Sequence, residues 1–139
     1  MLLEKGARGI NYLNLLDIFI KEENVELATY LIPRMTALDT RIKYTKIRFL
    51  HVLAKKGYYD IAKCLIDKGA DIEATDEELQ CTPLHIAAEN GHTNFARLLI
   101  EKGCNINNLN KNFATPLHYA IKYNQTKMIE LLLQNGAKM

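Results

Sequence analysis

The apolar positions of this chain follow a helical period, and the same pattern then returns. Leu84, Ala87 and Ala88 fall at i, i+3 and i+4, one stripe of an α-helix, and Leu50 to Gly57 lies in register under Leu84 to Gly91. A second apolar run follows the first: Phe95 to Gly103 aligns with Met128 to Gly136, and Ala62 to Ile72 aligns with Ala96 to Ile106. His85 and His118 are 33 residues apart, while His51 and His85 are 34 apart, so one extra residue sits between Glu73 and Cys81. A further step back reaches Leu16 to Ile20 and Leu27 to Ile32, with the apolar pattern kept and the punctuation lost. Each unit therefore predicts two short antiparallel helices, one from Pro83 to Gly91 and one from about Thr93 to Lys102, joined by turns over Asp71 to Cys81 and Cys104 to Ala114. A helix pair with one apolar stripe per helix cannot bury that stripe alone, so the units must stack.

The punctuation supplies the physics. Thr82 and Thr115 are placed to cap helices by accepting a free backbone N–H, and Pro83 and Pro116 follow at the first helical position, where a missing N–H costs nothing. Leu84 and Leu117 begin the apolar stripe. Gly91 ends the first helix in a position suited to left-handed backbone; Gly57 and Asn124 hold the matching places, and Gly69, Gly103 and Gly136 end the second helices.

Thr82-Pro83-Leu84-His85-Ile86-Ala87 and Thr115-Pro116-Leu117-His118-Tyr119-Ala120, at this period, resemble the ankyrin repeat. The resemblance implies an all-α solenoid with short β-turn fingers: an N-terminal segment 1–13, a degenerate repeat 14–47, two full repeats 48–81 and 82–114, and a shortened last repeat 115–139. It also implies that His51, His85 and His118 bridge their own helix cap and the neighbouring finger, and that His92 is structural.

The chain departs from that pattern in several places. Where a finger glycine is usual, two residues before Thr-Pro, Phe113 stands in one finger and Leu79 or Gln80 in the other, so Asp76, Asn110 and Asn112 are the residues expected to make those turns. Phe113 and Leu79 then either fold back on a neighbouring finger or protrude as anchors for a partner. Arg48-Phe49 replaces Thr-Pro, predicting a less defined helix start. In repeat 14–47, Asp17, Glu23 and Met35 replace the motif histidine and glycines, and Pro33 interrupts the second helix. The last helix has only Lys127, Glu130 and Gln134 to present to water.

Composition narrows the function classes. Hydrophobic residues make up 48% and charged residues 24%, a folding composition, and a formal charge of +2 with no basic block gives no reason to expect nucleic acid. Neither a signal-peptide apolar region nor a membrane-length apolar stretch is present, so a soluble, intracellular, cytoplasmic protein is expected. Cys64, Cys81 and Cys104 lack C-x-x-C spacing and point to a reducing compartment, with Cys64 as core filling.

Equivalent histidines on helices about 8–10 Å apart cannot converge on one metal ion. Cys81 and His85 are a conceivable nucleophile pair, but Cys81 precedes the cap and a solenoid offers no deep pocket, so no catalytic residue, cofactor or metal is expected. The resemblance implies instead a partner protein, bound on a concave surface by the two residues before each helix-ending glycine and by the finger tips. Carried over position by position, these are Lys55, Lys56, Glu89, Asn90, Lys122 and Tyr123 on the helices, and Glu77, Glu78, Leu79, Lys111, Asn112 and Phe113 on the fingers. The same carry-over gives Lys21 and Glu22 on the first helix of repeat 14–47, and Lys46 and Ile47 on the finger that follows it. A structural or regulatory segment of a larger repeat protein, even a host-directed effector, is the alternative, as is self-association through exposed array ends.

Overall fold

The computed structural model describes residues 50–67 and 69–138. Segment 1–13, the degenerate repeat 14–47 and the helix start at Arg48-Phe49 lie outside the described residues, as do Lys21, Glu22, Lys46 and Ile47. Six helices are described: α1 over 50–56, α2 Tyr59–Asp67, α3 Pro83–Asn90, α4 Thr93–Glu101, α5 Pro116–Lys122 and α6 Thr126–Gln134. They form three antiparallel pairs, and the described residues contain no strand. The first helices stack on one another, α3 on α5, and the second helices stack in a parallel layer, α2 on α4 and α4 on α6.

The core is one continuous strip between these layers. Leu84, Ala87 and Ala88 are buried on α3, and Phe95, Ala96, Leu98 and Leu99 are buried on α4. Phe95, with no exposed surface, contributes roughly 1.5–3 kcal/mol by burial. The alanines let α5 lie close against α3, because a helix face without long side chains permits a short interaxial distance.

The first helices begin where local chemistry dictates. Thr82 and Thr115 are extended at the N-cap, each hydroxyl accepts the N–H three residues on, and Pro83 and Pro116 occupy the first helical position. His85 Nδ1 accepts the Thr82 N–H at 3.1 Å, closing a reciprocal cap, and His118 does the same for Thr115 at 2.9 Å.

The helix-ending glycines serve a second purpose. Gly57 has φ +78°, and a Cβ there would lie 2.6 Å from His92 Nδ1 of the next repeat. Gly91 has φ +72°, and a Cβ there would meet the Gln125 side-chain amide. The backbone must be left-handed and the next repeat must enter through the same space, which only glycine satisfies. Asn124, at the matching position with φ 56°, is exposed, with no such visitor among the described residues, so a side chain is tolerated.

Candidate functional site

Three ladders of hydrogen bonds join successive repeats and position the fingers. In the first, each motif histidine reaches forward: His51 Nε2 donates to the Cys81 carbonyl at 2.7 Å and His85 Nε2 donates to the Ala114 carbonyl at 2.8 Å. Because His85 Nδ1 accepts from Thr82, its proton is assigned to Nε2, and the neutral ring satisfies both ends. Burial lowers the His85 pKa below its ordinary 6.5.

In the second ladder, a side chain at the start of each second helix reaches back. His92 Nε2 donates to the Lys55 carbonyl at 2.9 Å, and Gln125 Nε2 donates to the Glu89 carbonyl at 2.9 Å. In the third, Glu73 accepts the Asn105 N–H at 2.9 Å, and Asn107, one repeat later, accepts the Lys138 N–H at 2.8 Å. Gln125, Glu73 and Asn107 were not singled out by sequence reasoning. The 33-to-34-residue register that pairs Gln125 with His92 and Asn107 with Glu73 was the available signal.

The fingers are tight turns held by one acidic or amide side chain each. Asn110 Oδ1 accepts the N–H groups of Asn112 and Ala114, both at 2.9 Å, while Asp76 Oδ1 accepts those of Leu79 at 2.9 Å and Cys81 at 3.1 Å. The Asn110 and Asp76 N–H groups close each turn on the Ala114 and Cys81 carbonyls, both at 3.0 Å. Asp76 and Asn110 are thus equivalent, and the extra residue lies between Asp76 and Cys81. Asp76 and Asn110, expected to make these turns, do so in a specific way. They brace the turns by side chain, while the left-handed residues are Gln80, φ 56°, and Phe113, φ 60°.

The fingers lie edge to edge, since the Lys111 N–H donates to the Leu79 carbonyl at 2.8 Å. Phe113 does not fold back on its neighbour: it is 78% exposed. Leu79 is exposed too, at 40%, as is Leu109, which sequence reasoning missed because an apolar residue before a turn carries no distinctive pattern. Beneath the second finger, Asn110 Nδ2 donates to Tyr119 Oη at 2.8 Å, and Cys81 Sγ lies 3.3 Å from that hydroxyl. The turn bearing Phe113 is thereby anchored to α5. Burial, and then the Cys81 thiol beside it, raise the Tyr119 pKa above its ordinary value.

The remaining candidates form two rows. Glu77, Glu78, Lys111 and Asn112 are exposed on the fingers. At the far ends of the first helices, Lys55, Asn90, Lys122 and Tyr123 are exposed, with Lys56 and Glu89 partly so. Lys122 Nζ lies 5.5 Å from the Tyr123 ring centroid, and Asn90 Nδ2 returns to the Ile86 carbonyl of its own helix at 2.8 Å. A first helix of eight residues separates the rows by about 12 Å.

The side chains considered for chemistry are otherwise engaged. Cys81 is buried, and both His85 ring nitrogens are committed to Thr82 and Ala114. Burial, followed by the Glu73 charge, pushes the Cys104 thiol up to about 12, so it stays protonated at neutral pH. On the opposite side a groove of about 560 Å³ between α2 and α4 is lined by Tyr59, Lys63, Asn94, Arg97, Leu98, Glu101 and Lys102. Among the described residues there is no His, Cys, Asp or Glu cluster able to hold a metal ion, and no helix is long and apolar enough to cross a membrane.

No curated protein matched the chain. A family profile for ankyrin repeats matches residues 50–139 in three copies, the same stretch in which the three helix pairs, their capped starts and their inter-repeat ladders are seen. On that match and that architecture, the chain belongs to the ankyrin-repeat family, whose members generally serve as protein–protein interaction modules.

Proposed function

We propose that this chain is a non-catalytic module that binds another protein across its finger tips and the C-terminal ends of its first helices. The observation that carries this reading is Phe113: a large apolar side chain, 78% exposed, on a left-handed turn that disfavours any residue with a Cβ. Exposure and strain at one residue give the fold nothing, whereas a rigidly mounted aromatic is what a binding surface uses as an anchor. Tyr123, exposed at the end of α5, is the second aromatic of that surface, and Lys55, Lys56, Glu77, Glu78, Leu79, Glu89, Asn90, Lys111, Asn112 and Lys122 supply its polar and charged rim.

Three free thiols, two of them partly accessible, favour work in a reducing compartment such as the cytoplasm. The near-neutral charge favours a protein over nucleic acid or an anionic lipid surface. Affinity capture tests the reading: a protein retained by the wild-type chain should be lost with Phe113→Ala and Tyr123→Ala together. Retention of every bound protein by that double variant sinks the proposal.

A further inference from the structure

The finger 110–114 is held on its neighbour at two backbone points, and the groups that hold it recur one repeat later. The Lys111 N–H donates to the Leu79 carbonyl at 2.8 Å, and the Ala114 carbonyl accepts from His85 Nε2 at 2.8 Å. Leu79 and His85 therefore grip a tight turn by an N–H and by the carbonyl three residues on. Asn112 matches Leu79: each precedes the left-handed residue of its finger, and each has its N–H held by the bracing side chain, Asn110 or Asp76. His118 matches His85, with Nδ1 accepting the Thr115 N–H at 2.9 Å and the proton thereby assigned to Nε2. Neither the Asn112 carbonyl nor His118 Nε2 bonds to any described residue.

Charge supplies a third point. Glu77 and Glu78 lie between Asp76 and Leu79 on one finger, Lys111 lies between Asn110 and Asn112 on the next, and all three are exposed. Strands paired edge to edge run about 4.7–4.9 Å apart, so an acidic finger neighbours a basic one. Lys111 has no ion pair among the described residues, and an acidic residue one finger further on would continue the alternation. Beyond His118, Ile121 is exposed at the place where Ala88 is covered by α5, so a segment continuing past the turn meets apolar surface.

We infer that the outer edge of finger 110–114 binds an acidic turn of a partner protein. The Asn112 carbonyl accepts a backbone N–H of that turn, His118 Nε2 donates to the carbonyl three residues on, and Lys111 pairs with the acidic side chain of the residue that gives the N–H. The site continues the finger-to-finger interface seen one repeat earlier, which is why a turn and not an extended strand is the occupant. This rests on the reading of the chain as a protein-binding module and names the kind of segment held at one edge.

NMR titration of the full chain with a head-to-tail cyclic peptide built around Asn-Glu-Asn-Gly-Ala tests it, with far-UV circular dichroism on every variant to verify the fold. The probe copies the finger turn, with Glu at the residue that gives the N–H and Gly at the left-handed place. Wild type should bind it saturably with a Kd below about 1 mM at about 50 mM salt. Methylating the backbone nitrogen of the probe's Glu removes the donor and should weaken binding about fivefold or more. His118→Asn keeps an acceptor for the Thr115 N–H but loses the forward donor, and should weaken binding by a similar factor. Lys111→Glu should weaken it about fivefold, and a probe with Lys in place of Glu should restore that variant to within about twofold. Lys63→Glu, the same charge change on the outer face of α2, should leave binding within about twofold of wild type. No saturable binding by about 1 mM overturns the inference, as does indifference to the methylated probe or a Lys111→Glu loss that the reversed probe fails to restore. A chain that ignores the probe but dimerises, with the dimer lost in His118→Asn, makes a second copy the occupant and overturns it too. A chain that ignores the probe yet captures a protein through Phe113 and Tyr123 defeats this inference while leaving the proposed function standing.

Discussion

Repeats 82–114 and 115–138 begin with the same Thr-Pro-Leu-His, yet the motif performs different amounts of work in each. In the earlier repeat, His85 closes its cap and also donates to Ala114, Ala88 is wholly buried against the next helix, and Gly91 admits Gln125. In the later one, His118 closes its cap at 2.9 Å but has no forward carbonyl among the described residues. Ile121 stands 43% exposed where Ala88 is covered, and Asn124 replaces glycine. Leu133, matching Ile100, is 54% exposed. The difference shows that each motif residue has a local role, which any single repeat realises, and a stacking role, which depends on a neighbour.

Substitutions at matched positions can break that comparison. His85→Ala should cost about 2–4 kcal/mol in urea unfolding, since it empties a buried site and leaves the Ala114 carbonyl and Thr82 N–H without partners. His118→Ala should cost about 1 kcal/mol, the value of a cap alone. Equal losses at the two positions would mean that stacking adds nothing to the motif.

Gly91→Ala should cost about 2 kcal/mol, combining left-handed strain with collision against Gln125, while Asn124→Gly should shift stability by no more than about 0.5 kcal/mol. A mild Gly91→Ala effect would indicate that Gln125 relocates freely. The pH dependence sharpens the same contrast. The His85 pKa is lowered on folding, so the unfolded chain binds the proton more readily, and stability should be intact above about pH 6.5 and decline as the pH falls from there toward the folded-state value. Unfolding titrations of His85→Gln should show a shallower acid decline than wild type; an unchanged slope would remove His85 as its source.

Much of this architecture was legible because it rests on chemistry local to the chain. A Thr-Pro start, a histidine three residues after its cap and a glycine at a helix end each state their backbone requirement within a few residues, and the 33-to-34-residue period extends them to every unit. The left-handed turns at Gln80 and Phe113 were illegible for the opposite reason. No intrinsic preference places Gln or Phe there; the conformation is imposed by Asp76 and Asn110 gripping the turn and by the bond from Lys111 to Leu79. Gln125 was hidden because an amide performs what an imidazole performs one repeat earlier. For the candidate surface, sequence position selected residues that are mostly exposed, but whether Phe113 turned inward or outward was decided only by the geometry of its turn.

The central claim is that Phe113 is displayed for binding at the expense of stability, and Phe113→Gly tests it most directly when thermal unfolding and protein capture are measured on the same preparation. Glycine relieves about 1–2 kcal/mol of left-handed strain and adds about 0.5–1 kcal/mol of unfolded-state entropy, so the variant should be about 0.5–1 kcal/mol more stable than wild type. It should also fail to retain the protein that wild type captures. A variant less stable than wild type, or one that captures the same protein equally well, would contradict the account.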